Sequence, residues 1–235
     1  MNGPTVTLVV LAKAPVPGLA KTRLTPPYTE HQAAALAAAA LLDTLDAVHA
    51  AHRVLGGPTP VVAITGDLGR CAAPGAVRSA LARCTVIEQR GSGLAGRICA
   101  AHADAVGSSG PTGTLQVGMD TPQLTATMLV DAAVRLNERG GPAAILGPAT
   151  DGGWWALGLR DPTRAGLVIG VPMSTPFTFE RTRQALRRGG IESVRLATLT
   201  DVDDAASCAA VAAIAPRTRF GELVATIGEP VGPRS

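Results

Sequence analysis

Val6-Thr-Leu-Val-Val-Leu-Ala-Lys-Ala-Pro-Val-Pro-Gly-Leu-Ala-Lys-Thr-Arg-Leu24 is the stretch that decides the fold of this chain. The apolar run Val6–Leu11 has the length and composition of a buried strand, and the Pro/Gly-stiffened segment directly after it is a loop. Within that loop Lys13, Lys21 and Arg23 fall inside eleven residues, and Ala12, Ala14, Gly18 and Ala20 keep the neighbouring positions small. Small residues let backbone N–H groups approach an anion; Lys and Arg neutralise it, and Arg offers bidentate bonds to phosphate oxygens. In an open α/β sheet the ligand crevice lies beyond the carboxyl ends of the strands, where this loop would sit. A surface loop with solvated cations would carry the same residues, but the position directly after a first strand favours a phosphate site.

Outward from this stretch, apolar runs alternate with helical ones. Thr29-Glu-His-Gln32 has the capping-box pattern and opens an Ala/Leu-rich helix to about His52. Strands are expected at 61–64, 85–87, 114–118, 143–146, 154–157 and 192–196. Helices are expected at 71–82, at 94–106, from a Thr125 cap to about Arg139, from a Thr175 cap with Pro176 at its first position to Arg188, and at 205–215. Such alternation predicts an α/β fold with a mostly parallel central sheet and helices on both faces. No linker divides the chain, so residues 1–228 are read as a single domain and 229–235 as a disordered tail.

Charged residues make up only 17% of the 235 residues and apolar ones 46%, which places the chain among globular proteins. A net charge of +3 without a Lys/Arg-rich run or an aromatic-basic stripe argues against a nucleic-acid partner. Cys71, Cys84, Cys99 and Cys208 lack CxxC or Cys/His spacing, so they read as reduced thiols and not as zinc ligands. No basic n-region precedes the first apolar run, and no uninterrupted apolar stretch approaches the roughly 20 residues of a membrane helix. A cytoplasmic protein with no membrane partner is the expectation.

Acidic residues punctuate the later strand ends. Gly118-Met-Asp120-Thr-Pro122 follows the fourth strand and would bring Asp120 to the crevice of Lys13 and Arg23. There it is a candidate Mg²⁺ ligand, since this ion prefers one or two carboxylates plus substrate phosphates; an Asx turn is the alternative. In Asp201-Val-Asp203-Asp204, alternate residues of an extended segment point the same way, and Asp203 or Asp204 could equally cap the following helix. Taken with Asp120 and the basic loop, a divalent ion bridging two carboxylates and a diphosphate is the economical reading. Gly147-Pro-Ala-Thr-Asp151-Gly-Gly-Trp154-Trp155 sets glycines beside a carboxylate, suited to close approach of a ligand, or to a hairpin turn. Of the adjacent indoles, one would face the core and the other the cleft, where it could stack on a sugar or base.

Together, Ala12-Lys-Ala-Pro-Val-Pro-Gly-Leu-Ala-Lys-Thr-Arg-Leu24, Gly118-Met-Asp-Thr-Pro-Gln-Leu124, Gly147-Pro-Ala-Thr-Asp-Gly-Gly-Trp154 and Asp201-Val-Asp203 resemble the GT-A-fold family of bacterial candidate glycosyltransferases, some associated with arsenosugar biosynthesis. A more distant resemblance is to small nucleotidylyltransferases such as phospholactate guanylyltransferase. The match spans about residues 5–215. It implies a three-layer nucleotide-diphospho-sugar transferase fold with the nucleotide over the first loop, at Ala12, Lys13, Gly18, Lys21 and Arg23. It further implies Asp120 and Asp203 as ligands of Mg²⁺ or Mn²⁺, with Asp201 assisting. Asp120 and Asp151 are the catalytic candidates, and Asp151, Gly152 and Trp154 lie toward the acceptor. Where the family usually carries Asp-Leu-Gly-Glu-Arg, this chain has Gly93-Leu-Ala-Gly-Arg97 and lacks both acids.

The resemblance implies a metal-dependent glycosyltransferase acting on a nucleotide sugar and a small-molecule acceptor. Nucleotidyl transfer from a nucleoside triphosphate to a phosphorylated acceptor, with pyrophosphate released, suits the same three cations. A nucleotide-binding module without catalysis is the reading that the missing acids at Gly93 and Gly96 favour.

Overall fold

The computed structural model describes residues 5–106 and 113–228; the tail expected at 229–235 lies outside them. Its strands are β1 (Val6–Lys13), β2 (Val61–Thr65), β3 (Thr85–Glu88), β4 (Gly113–Gly118), β5 (Ala144–Pro148), β6 (Trp154–Leu159) and β7 (Ser193–Arg195). They form one sheet in the order β3-β2-β1-β4-β6-β5-β7. β6 runs antiparallel to both its neighbours, and every other pairing is parallel.

The helices are α1 (Glu30–Leu55), α2 (Pro74–Leu81), α3 (Gly93–Ala105), α4 (Ala126–Asn137), α5 (Thr178–Arg188), α6 (Ala205–Ile214) and α7 (Arg219–Ile227). α1, α2 and α4 cover one face of the sheet; α3, a 3₁₀ stretch at Pro162–Val168 and α5 cover the other. Along β1 the strand period of two sorts the core. Leu8, Val10 and Ala12 pack with Leu41, Leu45 and Val48 of α1, whereas Val9 packs with Ala101 and Ala105 of α3. A strand buried on both faces explains the unbroken apolar run that announced it.

α1 begins at the expected Thr29 capping box, with the Gln32 N–H donating to Thr29 Oγ1 at 3.2 Å and Gln32 Oε1 accepting from Thr29 N–H at 2.8 Å. Sixteen of its 26 residues are buried, because α6 and α7 pack on the side away from the sheet around Phe220. By length and hydropathy α1 could cross a membrane, but 83% of its most apolar 18-residue window is buried inside this fold. The four cysteines are free.

Two helix starts differ from expectation: α2 begins at Pro74, where the sequence placed a start near Cys71, and α5 starts late as well. α5 begins at Thr178 with Phe177 before it, and not at Thr175-Pro176. The Thr175 Oγ1 accepts from Phe177 N–H at 3.3 Å, and Thr178 Oγ1 donates to Pro172 O at 2.9 Å. The hydroxyl that resembled a helix cap closes a preceding turn instead. α7 and the 3₁₀ stretch were not foreseen.

Candidate active site

A cavity of about 540 Å³ opens at the carboxyl edge of the parallel strands. Lys13 and Gly118 are the last residues of β1 and β4, Thr65 is the last of β2, and Gln89 follows β3. β6 is reversed, so its first residue, Trp154, meets this edge. The cavity gathers Ala12, Lys13, Lys21, Arg23, Asp120, Asp151, Trp154, Asp201 and Asp203. Of the residues singled out from sequence, Gly18 and Gly152 are not among those lining it. Gly18 (φ 73°) faces the Glu30 carboxylate, which a Cβ there would meet at 3.1 Å. Gly152 (φ 87°) packs against the Pro176 carbonyl, leaving no room for a side chain, and its own carbonyl accepts from Phe179 N–H at 2.8 Å. Both glycines shape the loops without touching the cavity.

The acidic wall is stitched together by backbone. Val202 N–H donates to Asp120 O at 2.9 Å, Thr150 N–H donates to Leu199 O at 2.9 Å, and the Gln123 amide donates to Thr200 O at 2.5 Å. Residues 199–203 are thereby held between the loop after β4 and the β5–β6 turn, and four aspartates converge. Asp204 takes the capping role: its carboxylate accepts from Ser207 N–H at 2.8 Å in a capping box that starts α6. That leaves Asp203 turned to the cations. Asp151 accepts from Gly153 N–H at 2.6 Å, so the Asp-Gly-Gly segment is both the hairpin turn and part of the cavity wall.

Lys21 is the hub. Its Nζ lies 3.0 Å from Asp120 Oδ1 and 3.0 Å from Asp203 Oδ1, and Arg23 Nη1 is 3.8 Å from Asp203 Oδ2. Burial alone would pull the lysine pKa down; the two carboxylates outweigh it, and the ammonium is held above the ordinary lysine range. Lys21 adopts a left-handed backbone, φ 49° and ψ 42°, a conformation unfavourable for a side chain other than glycine. Such strain persists where surrounding contacts over-determine it, and two ion pairs do so here. The Lys13 ammonium donates to Leu19 O at 2.7 Å, folding back over its own loop.

Asp120 and Asp203, the pair implied as metal ligands, share this ammonium. A second grouping, Asp151, Asp201 and Asp203, brings carboxylate oxygens within 4.8 Å of one another. Burial, with the charges of Asp151 and Asp203 beside it, pushes the Asp201 carboxyl up to about 6. Hard oxygen donors crowded this closely are the donor set that Mg²⁺ or Mn²⁺ takes.

Several cavity residues were not foreseen. Gln89 donates from Nε2 to Ala12 O at 2.6 Å and to Ala63 O at 3.0 Å, clasping the ends of β1 and β2. Arg97 in the first turn of α3 donates to Gly93 O at 3.1 Å and lines the same wall with Leu94 and Ile98. Gly91 and Gly96 meet backbone to backbone; a Cβ on Gly91 would sit 2.6 Å from Gly96 C. Of the two positions where the resemblance would place acids, Gly96 is closed up by this contact, while Gly93 faces open space. Trp155 is buried, donating to Ala197 O at 3.0 Å, while Trp154 lines the cavity with its N–H on Thr182 Oγ1 at 3.2 Å. The division of the two indoles follows strand alternation.

The fold is that of the nucleotide-diphospho-sugar transferases. A protein from Desulfovibrio desulfuricans G20, named a candidate nucleotide-diphospho-sugar transferase, superposes with a TM-score of 0.80 at 21% identity over 94% of each chain. Rv0371c from Mycobacterium tuberculosis H37Rv gives 0.53 at 21% identity over 90% of this chain and 98% of the other. The CMP:2-keto-3-deoxy-manno-octonic acid synthetase complexed with CTP gives 0.52 at 12% identity over 88% and 96%. No curated protein matches the sequence. Residues 44–175, more than half of the chain, match the model of a bacterial family, and the chain belongs to that family, DUF2064, described as an uncharacterized protein conserved in bacteria.

Proposed function

We propose that this protein is a nucleotide-dependent transferase that moves a sugar from a nucleotide-diphospho-sugar to a small-molecule acceptor. The observation that carries the proposal is the Lys21 ammonium bound at 3.0 Å by both Asp120 and Asp203, at the carboxyl edge of the sheet. Fixed opposite charges in one crevice suit a diphosphate: cations neutralise it, and carboxylates hold the divalent ion that accompanies it. Lys13, Lys21 and Arg23 would bind the phosphate oxygens and stabilise charge developing on the leaving diphosphate. Asp120 and Asp203 would hold Mg²⁺ or Mn²⁺, with Asp201 assisting, and the bound ion would supply further neutralisation of the leaving group. Asp151, exposed on its turn, would orient the acceptor hydroxyl and take its proton, and Trp154 would offer a ring face beside it. Nucleic acid and membranes have no place in this reading, and a cytoplasmic setting suits the substrates.

Calorimetric titration with nucleoside diphosphates and nucleotide sugars, with and without Mn²⁺, tests it. Metal-dependent binding that Asp120→Asn abolishes is the expected result; unchanged binding in that variant overturns the metal assignment. Nucleotidyl transfer is the second reading, favoured by the likeness to a synthetase whose structure holds CTP. Pyrophosphate release from a nucleoside triphosphate, against release of a nucleoside diphosphate from a nucleotide sugar, separates the two.

A further inference from the structure

Gln116 is an anomaly in a central strand. Strands covered on both faces read as runs of Val, Ile and Leu, and Leu115 and Val117 of β4 conform, packing into the α1 side of the core. Gln116 lies between them on the opposite face, 2% exposed, in register with Val9 of β1 and Leu157 of β6. Its Oε1 is buried and accepts no hydrogen bond from the protein. A buried acceptor left unpaired loses more than an ordinary hydrogen bond gains, and leucine or methionine would fill the same volume without that loss. The fold therefore gives no reason for an amide here.

The cavity gives one. Gln116 is among the residues that line it, on the face of the sheet where Leu94, Ile98, Trp154 and Met173 form the apolar part of the lining. Leu94, Ile98, Trp154 and Met173 carry no charge, and the cation beside them, Arg97, is turned back to donate to Gly93 O; the cations that suit phosphate, Lys13, Lys21 and Arg23, stand on the first loop. Trp154 and Met173 belong to β6 and the chain beyond it, across the site from Thr65 and Gln89 at the ends of β2 and β3. An apolar recess with an indole wall and one unpaired acceptor matches the chemistry of a pyranose, whose C–H face is apolar and whose hydroxyls donate.

Resting on the transferase reading above, we propose that Gln116 is a specificity-determining residue that accepts a hydrogen bond from a hydroxyl of the transferred sugar. A site built to pair such a hydroxyl discriminates against ligands that lack it, because its own buried acceptor is then left unpaired.

Calorimetric titration of the wild type, Gln116→Met and Gln116→Leu with UDP, GDP and ADP and their glucose conjugates, in Mn²⁺, tests the assignment. For the base that binds, the wild type should prefer the glucose conjugate over the bare diphosphate by about tenfold, as one neutral hydrogen bond allows. Both substitutions should erase that preference, leave the diphosphate affinity unchanged and keep Tm at or above the wild-type value. Overturning results are a preference absent from the wild type, a preference retained in the variants, an equal loss for diphosphate and conjugate (which assigns the recess to the base), or a fall in Tm for both variants. Any of these leaves the nucleotide reading standing. If none of the six ligands, nor CDP, dTDP and their glucose conjugates, binds the wild type, that reading fails and this one with it.

Discussion

Lys21 and Asp203 stand 182 residues apart in the chain, yet the ammonium of one lies 3.0 Å from a carboxylate oxygen of the other. The loop after the first strand and the segment after the last strand are joined by this contact and by the matching bond to Asp120, although β4, β6 and β5 separate β1 from β7 in the sheet.

Removing the lysine tests what its charge competes with. In the free protein the ammonium neutralises the two carboxylates that would serve a divalent ion, so Mn²⁺ alone should bind the wild type weakly. Lys21→Met should bind Mn²⁺ about tenfold more tightly in the absence of nucleotide, while losing about tenfold in nucleoside diphosphate affinity. Mn²⁺ electron paramagnetic resonance reads the first and calorimetry the second; an unchanged or weaker Mn²⁺ affinity in the variant would refute the competition.

Asp203→Asn removes one of the two charges that hold Lys21 and leaves the Asp204 cap of α6 in place. Nucleotide turnover should fall at least a hundredfold while Tm changes by no more than a few degrees. Asp204→Ala should do the reverse, costing about 1 kcal/mol as a lost helix cap with little effect on turnover. Activity lost equally in both would show that the neighbouring carboxylates are not divided in this way.

Acid sensitivity should trace to His102. It is fully buried in α3, its Nδ1 is 2.6 Å from Thr114 Oγ1, and burial lowers its pKa to about 3. The unfolded chain takes up a proton below about pH 6.5, and the folded one does not until about pH 3. Stability from this group is therefore complete above pH 6.5 and lost as pH falls, at about 1.4 kcal/mol per unit. Urea unfolding at pH 7.5 and pH 5 should show about 2 kcal/mol more loss in the wild type than in His102→Gln. Parallel losses would acquit His102.

Asp43 holds the last helix. From within α1 its two oxygens accept from Arg219 N–H at 3.1 Å and Phe220 N–H at 2.9 Å, the first turn of α7. Asp43→Ala leaves those amides unpaired and should lower stability by about 2–3 kcal/mol. Amide exchange localised to α7 would confirm the route; a variant as stable as the wild type would exclude it.

Gly152→Ala probes the turn that carries Asp151. With φ at 87° and the Pro176 carbonyl where any Cβ would have to sit, the turn or its neighbour must move. Turnover should drop at least tenfold, and more steeply than nucleoside diphosphate affinity, because Asp151 and Trp154 are displaced while the Lys21 side is not. An active variant with wild-type kinetics would separate the turn from the chemistry.

Much of the fold was legible because β1, β2 and β5 are mostly apolar runs, β4 sets Leu115 and Val117 between turn residues, and α1 carries its capping box in sequence. What escaped depends partly on contacts distant along the chain. α7 is short and contains Gly221; its local signal is the Thr218 cap alone, and two of its first-turn amides take their partner from distant Asp43. Asp203 and Asp204 are chemically identical neighbours; only the direction of each side chain assigns one to Lys21 and the other to Ser207. Gln89 and Gln116 are single amides at a strand end and within a strand, and periodicity does not reveal their use. Thr175-Pro176 carried a real helix-start signature, but Thr178 and Pro172 recruited the hydroxyls into a turn. The basic loop and the aspartates were found because each follows a strand at the end where a parallel sheet exposes its ligands.

The reversed direction of β6 has an evolutionary corollary. A parallel neighbour would need a helical crossover to return to this edge, but the β5–β6 hairpin delivers Asp151 and Trp154 on a fingertip of five residues, 149–153, followed by the strand's first side chain. Apart from Gly152, which is wedged against Pro176 and bonded to Phe179 of α5, the letters of such a fingertip can change without rebuilding a crossover. On the transferase reading, new acceptors could then be sampled while the loop of Lys13, Lys21 and Arg23 stays as it is.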